Sequence, residues 1–210
     1  MSWEEVYEQW KNDANLEENL KKQLADLEDD PEKLEDAFYA PLEFGTAGMR
    51  GILGAGINRM NIYTVRQATE GLARFMEEQD PETRRRGVAI AYDSRHFSPE
   101  FAMEAAKTLA KHDIPSFVFE SLRPTPELSF AVRYLKTFTG IMITASHNPA
   151  AYNGYKVYGE DGGQMPPADA DALTRYVRSI ENPLKIEVLT EEEVKHSGLL
   201  HIIGEDVDLP

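Results

Sequence analysis

Between residues 2 and 38 the apolar positions Val6, Trp10, Leu16, Leu20, Leu24 and Leu27 recur near the helical period among many charges. That pattern predicts two or three amphipathic helices, punctuated at Asp30-Pro31. Beyond residue 40 the pattern changes. Residues 61–78 place Val65, Leu72 and Phe75 at helical spacing behind Asn61, a residue suited to an N-cap. Val88–Tyr92, Ser116–Glu120, Ile141–Thr144, Tyr155–Tyr158 and Leu199–Ile203 are short apolar runs that read as strands. Helical stretches fall between them. Ser98-Pro99-Glu100 opens one that runs to about His112, with serine at the cap and proline in the first turn. Others cover about 126–136, 169–180 and 191–196. Alternating strands and helices predict an α/β domain: a mixed, largely parallel sheet flanked by helices. The Asn153-Gly154 pair reads as a hairpin turn that makes the sheet mixed.

Composition narrows the setting. The 210 residues suffice for one ordinary domain and an appendage. With no cysteine, disulfide and thiol chemistry are excluded. The opening Met1-Ser2-Trp3-Glu4-Glu5 lacks the basic-then-apolar pattern of a secretory signal. No apolar run approaches the ~20 residues that span a bilayer. The net charge of −15, from 22 basic and 37 acidic residues, argues against nucleic acid or an anionic membrane as partner. These features suit a cytoplasmic enzyme. An acidic chain that binds a phosphorylated ligand must gather its few cations locally.

Chemistry concentrates in Thr144-Ala145-Ser146-His147-Asn148-Pro149, directly after the Gly140–Ile143 run. A hydroxyl, an imidazole and an amide are set at the end of a buried strand, where open α/β sheets bind ligands. Phe44-Gly45-Thr46-Ala47-Gly48-Met49-Arg50-Gly51 reads as a glycine-rich loop carrying one arginine, a bidentate partner for phosphate. Asn153-Gly154-Tyr155-Lys156-Val157-Tyr158 places Lys156 ten positions after Ser146, so a hairpin returns it towards the serine. Ala91-Tyr92-Asp93-Ser94-Arg95 follows the Val88–Ile90 run.

These four stretches, in this order across about residues 40–160, resemble the α-D-phosphohexomutases, the phosphoglucomutases and phosphomannomutases. The resemblance implies that residues 41–210 form the first of four domains and that 1–40 are a helical extension of the kind found in the longer phosphoglucomutase branch. It implies that Ser146 is phosphorylated at rest, gives its phosphoryl group to one sugar hydroxyl and recovers one from another, interconverting sugar 1-phosphate and 6-phosphate through a bisphosphate. Arg50 and Lys156 then stabilise the transferring group, and Thr46, Asn148 and Arg95 join them in phosphate or substrate binding. Arg95 is read mainly as structural support. His147 is left with two roles, proton transfer or orientation of the phosphoryl oxygens on one side and a turn hydrogen bond on the other. Mg²⁺ is implied as cofactor, with Ser146 its ligand through the phosphate.

The family's glycine-flanked triple-Asp metal loop, sugar-selecting loop and phosphate-clamping domain have no counterpart here. The expectation is therefore a fragment, inactive alone, whose partners are the remaining domains and a sugar phosphate, with glucose favoured by the extension. Glu205-Asp206-Val207-Asp208-Leu209-Pro210 reads as a linker leading onward. The alternative is a stand-alone, non-catalytic domain that binds a sugar phosphate or a partner. Asp169-Ala170-Asp171 has metal-like spacing but opens a helix, where carboxylates suit the dipole. A serine hydrolase is disfavoured because the Gly-x-Ser-x-Gly elbow is missing.

Overall fold

A computed structural model describes residues 1–208. The chain begins with three helices, α1 (Trp3–Lys11), α2 (Glu18–Leu27) and α3 (Pro31–Phe38). Ser2 closes a capping box with Glu5 over α1. Asp30 caps α3 from just ahead of Pro31, which sits at the first turn where a missing N–H costs nothing. The apolar stripes of the three helices meet. Trp10, 1% exposed, packs edge-on against Phe38 and Tyr63, so this cluster is shared with the body of the molecule.

The body follows as β1 (Phe44–Gly45), β2 (Gly48–Ile52), α4 (Ile62–Glu77), α5 (Pro81–Arg86), β3 (Val88–Tyr92), α6 (Ser98–Lys111), β4 (Ser116–Phe119), α7 (Thr125–Leu135), β5 (Thr139–Ile143), β6 (Tyr152–Tyr158), α8 (Pro167–Arg178), a 3-10 turn (Pro183–Lys185), α9 (Glu191–His196), β7 (Leu200–Ile203) and α10 (Glu205–Asp208). The strands form one seven-stranded sheet in the order β1-β2-β6-β5-β3-β4-β7. From β5 outward to β7 the pairings are parallel, and from β5 back to β1 they are antiparallel. The α/β class, the mixed sheet and the flanking helices agree with the sequence pattern.

Strands β3 and β5 are buried along their whole length because helices cover both faces. One face packs Val88, Ile90, Ile141, Ile143 and Tyr155 against α4, α6 and α8. The other packs Ala89, Ala91 and Met142 under α7, with Ile203 and Val207 at its edge. Asn61 caps α4 through a reciprocal box with Thr64, as its position predicts.

Four expectations need correction. Asn153-Gly154 is no turn: both residues lie within β6, paired to Gly51 and Arg50 of β2, and the chain reverses over residues 144–151 instead. The strong local turn preference of Asn-Gly yields to two-sided strand pairing. Ser98 does not cap α6; the cap position is Phe97, in a left-handed conformation without a side-chain cap bond. Arg50 sits on a strand, because the glycine-rich stretch forms the β1–β2 hairpin. Residues 205–208 are no linker: they make a helical turn whose Val207 is buried and whose Asp208 binds Arg123. The end of that expected linker, residues 209–210, lies outside the described residues.

One ion cluster ties α4 to the end of α6. His112 Nε2 and Nδ1 each lie 2.7 Å from a carboxylate, of Glu70 and Glu77 respectively. Hydrogen bonding to Glu70 raises the imidazole pKa above its ordinary 6.5, outweighing the opposing effect of burial. A raised folded-state pKa means stabilisation present in full below the unfolded value, ~6.5, and lost as pH rises through the folded value. The melting temperature is therefore expected to fall with rising pH in that window. His112→Gln should flatten the profile there, as calorimetry at a series of pH values will show; an unchanged slope in the variant would refute the assignment.

Candidate active site

The reversal from β5 to β6 lies at the carboxyl end of β5, beside the end of β3, the place where a mixed α/β sheet offers a ligand its loops. Ser146 sits on it, exposed, with a φ of 53°. Its N–H donates to Thr144 Oγ1 at 3.0 Å, a local bond that turns the chain just ahead of the serine. Alternation along β6 buries Tyr155 and Val157 and turns Lys156 to the opposite face, where its cross-strand neighbour is Met142. From there Lys156 Nζ donates to Ser146 Oγ at 2.6 Å. The same alternation in β2 buries Met49 and exposes Arg50 on the face that carries Lys156. Arg50 Nη1 donates to Asn148 Oδ1 at 3.1 Å, which links hairpin and serine loop.

Between these elements lies an open cavity of ≈ 400 Å³. Thr46, Arg50, Ser146 and Lys156 line it, together with Glu43 and Gly48. Two cations and a nucleophilic hydroxyl thus share one concave surface, an arrangement that suits a phosphorylated ligand or a phosphoryl group on the serine itself. Asn148 is half-buried and supports Arg50 from outside the lining. His147 is exposed on the turn beside Ser146.

The side chain of Arg95, read mainly as structural support with a part in phosphate binding, is turned to the backbone of the serine loop. Nη1 donates to the carbonyls of Pro149 and Tyr152, and Nη2 to those of Ser146 and Asn148, all within 3.0 Å. Its fork is occupied by the backbone of the serine loop, so it holds the loop from beneath and does not line the cavity. Thr144, Glu43, Ser98 and Asn153 were given no role in the site from sequence. The Thr144-x-Ser146 spacing of a hydroxyl two residues ahead of an N–H could have disclosed the first; nothing local marks the others.

Mg²⁺ takes about six oxygen ligands in near-octahedral geometry. Among the described residues no three His, Cys, Asp or Glu side chains gather as a metal site. Asp169 and Asp171 lie exposed on α8. The cavity brings Ser146 and the single carboxylate of Glu43, together with two cations that repel a metal ion. The donor set does not complete a magnesium site. A larger cavity of ≈ 600 Å³ lies elsewhere, among Glu70, Arg74, His112 and Lys185, and contains none of these groups.

Residues 41–184 match the model of the phosphoglucomutase/phosphomannomutase α/β/α domain I. The chain belongs to this family. A phosphoglucomutase of Staphylococcus epidermidis is 42% identical over 194 residues, covering 91% of this chain and 34% of that protein. One from Staphylococcus aureus strain USA300 is 44% identical over 181 residues, covering 86% and 32%. The chain thus spans about a third of the length of the curated relatives it matches. Among solved structures, a Thermus thermophilus protein provisionally named a phosphomannomutase superposes with a TM-score of 0.59 at 34% identity, over 66% of this chain and 30% of its own. Parafusin, the Paramecium phosphoglucomutase, superposes in its open form with a TM-score of 0.55 at 20% identity, over 74% and 28%, and speaks to the fold alone. Among the described residues, no helix of this domain I is long and apolar enough to cross a membrane.

Proposed function

We propose that this chain is the phosphoserine-bearing first domain of a cytoplasmic mutase that interconverts sugar 1-phosphate and 6-phosphate, with glucose as the sugar. The observation that carries the reading is the 2.6 Å bond from Lys156 Nζ to Ser146 Oγ at the mouth of a cavity that also presents Arg50. The staphylococcal relatives named phosphoglucomutase support the choice of sugar.

The chemistry follows from that geometry. Ser146 carries a phosphoryl group bearing roughly −1.5 to −2 charges. A sugar hydroxyl forms a new P–O bond while the P–Oγ bond breaks; the hydroxyl loses one proton and Oγ takes one up. Charge growing on Oγ is offset by the Lys156 ammonium that already faces it. Arg50, at the lip, takes the non-bridging oxygens, and Thr46 offers a hydroxyl to the bound phosphate. His147, exposed beside the nucleophile, is placed to move a proton or to orient the phosphoryl oxygens. Transfer in the opposite sense from the bisphosphate restores phosphoserine. Of the residues present only phosphorylated Ser146 would help to hold Mg²⁺, which would supply charge withdrawal; the rest of its ligands and the sugar pocket would come from the other domains of the mutase.

The test is intact-mass analysis of this chain after incubation with glucose 1,6-bisphosphate, paired with a coupled mutase assay on this chain and on the full gene product. One added phosphoryl group, removed by phosphatase, is expected here, with turnover confined to the longer protein. A chain that never gains the group, even within an active longer protein, is a binding domain and overturns the reading.

A further inference from the structure

Two residues other than glycine adopt a left-handed backbone on the loops around the serine: Ser146 at φ 53° and Phe97 at φ 63°. Each such position costs of order 1–3 kcal/mol and persists only where its surroundings over-determine it. Besides the local bond from the Ser146 N–H to Thr144 Oγ1, one continuous chain of hydrogen bonds runs between the two loops. It begins at Asn153 on β6, whose side chain is 0% exposed. Asn153 Nδ2 donates to the carbonyl of His96 at 3.0 Å and to Ser98 Oγ at 2.9 Å. Ser98, also 0% exposed, donates its hydroxyl to Asp93 Oδ1 at 2.9 Å. The same Asp93 oxygen accepts the Arg95 N–H at 2.9 Å, and Oδ2 lies 3.4 Å from Arg95 Nε. Arg95 then grips the carbonyls of Ser146 and Asn148 at 2.8 Å each.

The amide of Asn153 has no freedom left. Of its two donated bonds the one to Ser98 is buried and the one to His96 part-buried, and its Oδ1 accepts the N–H of Gly154 at 2.8 Å. Buried networks in which every member is satisfied rigidify what they touch. This one is buried at Asn153 and Ser98 and reaches solvent at Ser146; it joins β6, which carries Lys156, to the loop that carries Ser146, by a route separate from the Lys156–Ser146 bond itself. The missing side-chain cap on α6 fits too: Ser98 gives its hydroxyl to the network, and the helix start accepts a strained Phe97 in exchange.

We infer that Asn153 is a positioning residue which, through Ser98, Asp93 and Arg95, locks Ser146 in the left-handed turn from which it exchanges phosphoryl groups with the substrate. The inference rests on the proposed carrier role of Ser146 for its chemistry, but the lock itself is a statement about the backbone. Reactant misplacement of about 1 Å costs roughly 10²-fold in rate, so release of the turn should act on transfer more than on folding.

The experiment uses the unphosphorylated chain and two variants, Asn153→Asp, which keeps the acceptor and replaces the donor, and Ser98→Ala, which removes the middle link. Backbone chemical shifts of Ser146 report its φ, melting curves report the fold, and incubation with glucose 1,6-bisphosphate reports phosphoryl uptake by intact mass. In both variants we expect a cooperative melt, loss of the positive-φ signature at Ser146, and uptake slowed about 10- to 100-fold, with Ser98→Thr restoring both. Folded variants that keep the wild-type Ser146 signature and rate overturn the lock. Should Asn153→Asp fail to fold, Ser98→Ala and its rescue by Ser98→Thr decide alone. If the wild type takes up no phosphoryl group, either alone or within an active longer protein, the carrier reading fails, and the Ser146 shifts still decide whether the lock exists.

Discussion

Gly48→Ala is expected to destabilise the domain by roughly 2–6 kcal/mol, the sum of backbone strain and overpacking, each about 1–3 kcal/mol. Gly48 has φ +97°, and a Cβ there would stand 1.9 Å from the carbonyl oxygen of Tyr155 and 2.9 Å from Lys156 Cα. Both are backbone atoms of β6, so relief cannot come from a side-chain rotation. The strand must move, and with it Lys156. Gly45, three residues earlier in the same motif, is the internal control: a Cβ there meets nothing within 4 Å. Denaturant unfolding of the two variants should separate them cleanly. A fall in melting temperature of roughly 10 °C is expected for Gly48→Ala, and little change for Gly45→Ala. Equal stability of the two would show that the β2–β6 contact is looser than its geometry states.

What sequence could and could not disclose follows a physical division. Val88–Tyr92 and Gly140–Ile143 were legible because strands covered on both faces need unbroken apolar runs, and these runs are too short for a helix. The helical extension was legible because Trp10, Leu20 and Leu24 repeat at the helical period and all three are buried. The β1–β2 hairpin was not, since Phe44–Gly45 and Gly48–Ile52 are too short and too glycine-rich to carry a period. Asn153-Gly154 misled for a specific reason. The glycine is there because a Cβ would come 2.4 Å from the Thr144 carbonyl oxygen at the mouth of the serine loop, and the asparagine because its amide anchors that loop. Close approach and turning both favour glycine, and local sequence does not tell them apart. The same holds for the cations. That Lys156 returns to Ser146 could be reasoned from spacing across a reversal. That Arg95 faces carbonyls while Arg50 faces the cavity depends on how residues 144–151 fold over the guanidinium, which no property of either arginine announces.

Ser146→Ala is expected to leave the fold intact and to remove phosphoryl uptake altogether. Ser146 is exposed, and alanine carries the same Cβ, so the strain of the left-handed φ is common to both residues and cancels in the comparison. The lost partner is the hydroxyl that Lys156 Nζ reaches at 2.6 Å, and an exposed ammonium replaces that bond with water. The effect on chemistry is of another order. With the carrier oxygen gone, no covalent step remains for Lys156 and Arg50 to assist. Removal of a nucleophile in an enzyme that works through a covalent intermediate lowers turnover by about 10⁴- to 10⁶-fold. In the full gene product the coupled assay should therefore fall to near background, while the melting curve of this chain moves by no more than about 2 °C. Lys156→Ala separates charge from carriage: it keeps the acceptor oxygen, so intact mass should still show one phosphoryl group, gained more slowly by about 10²- to 10³-fold, the cost of one stabilising donor. Full activity of Ser146→Ala in the longer protein would remove the phosphoserine from the mechanism and leave the cavity as a binding site only.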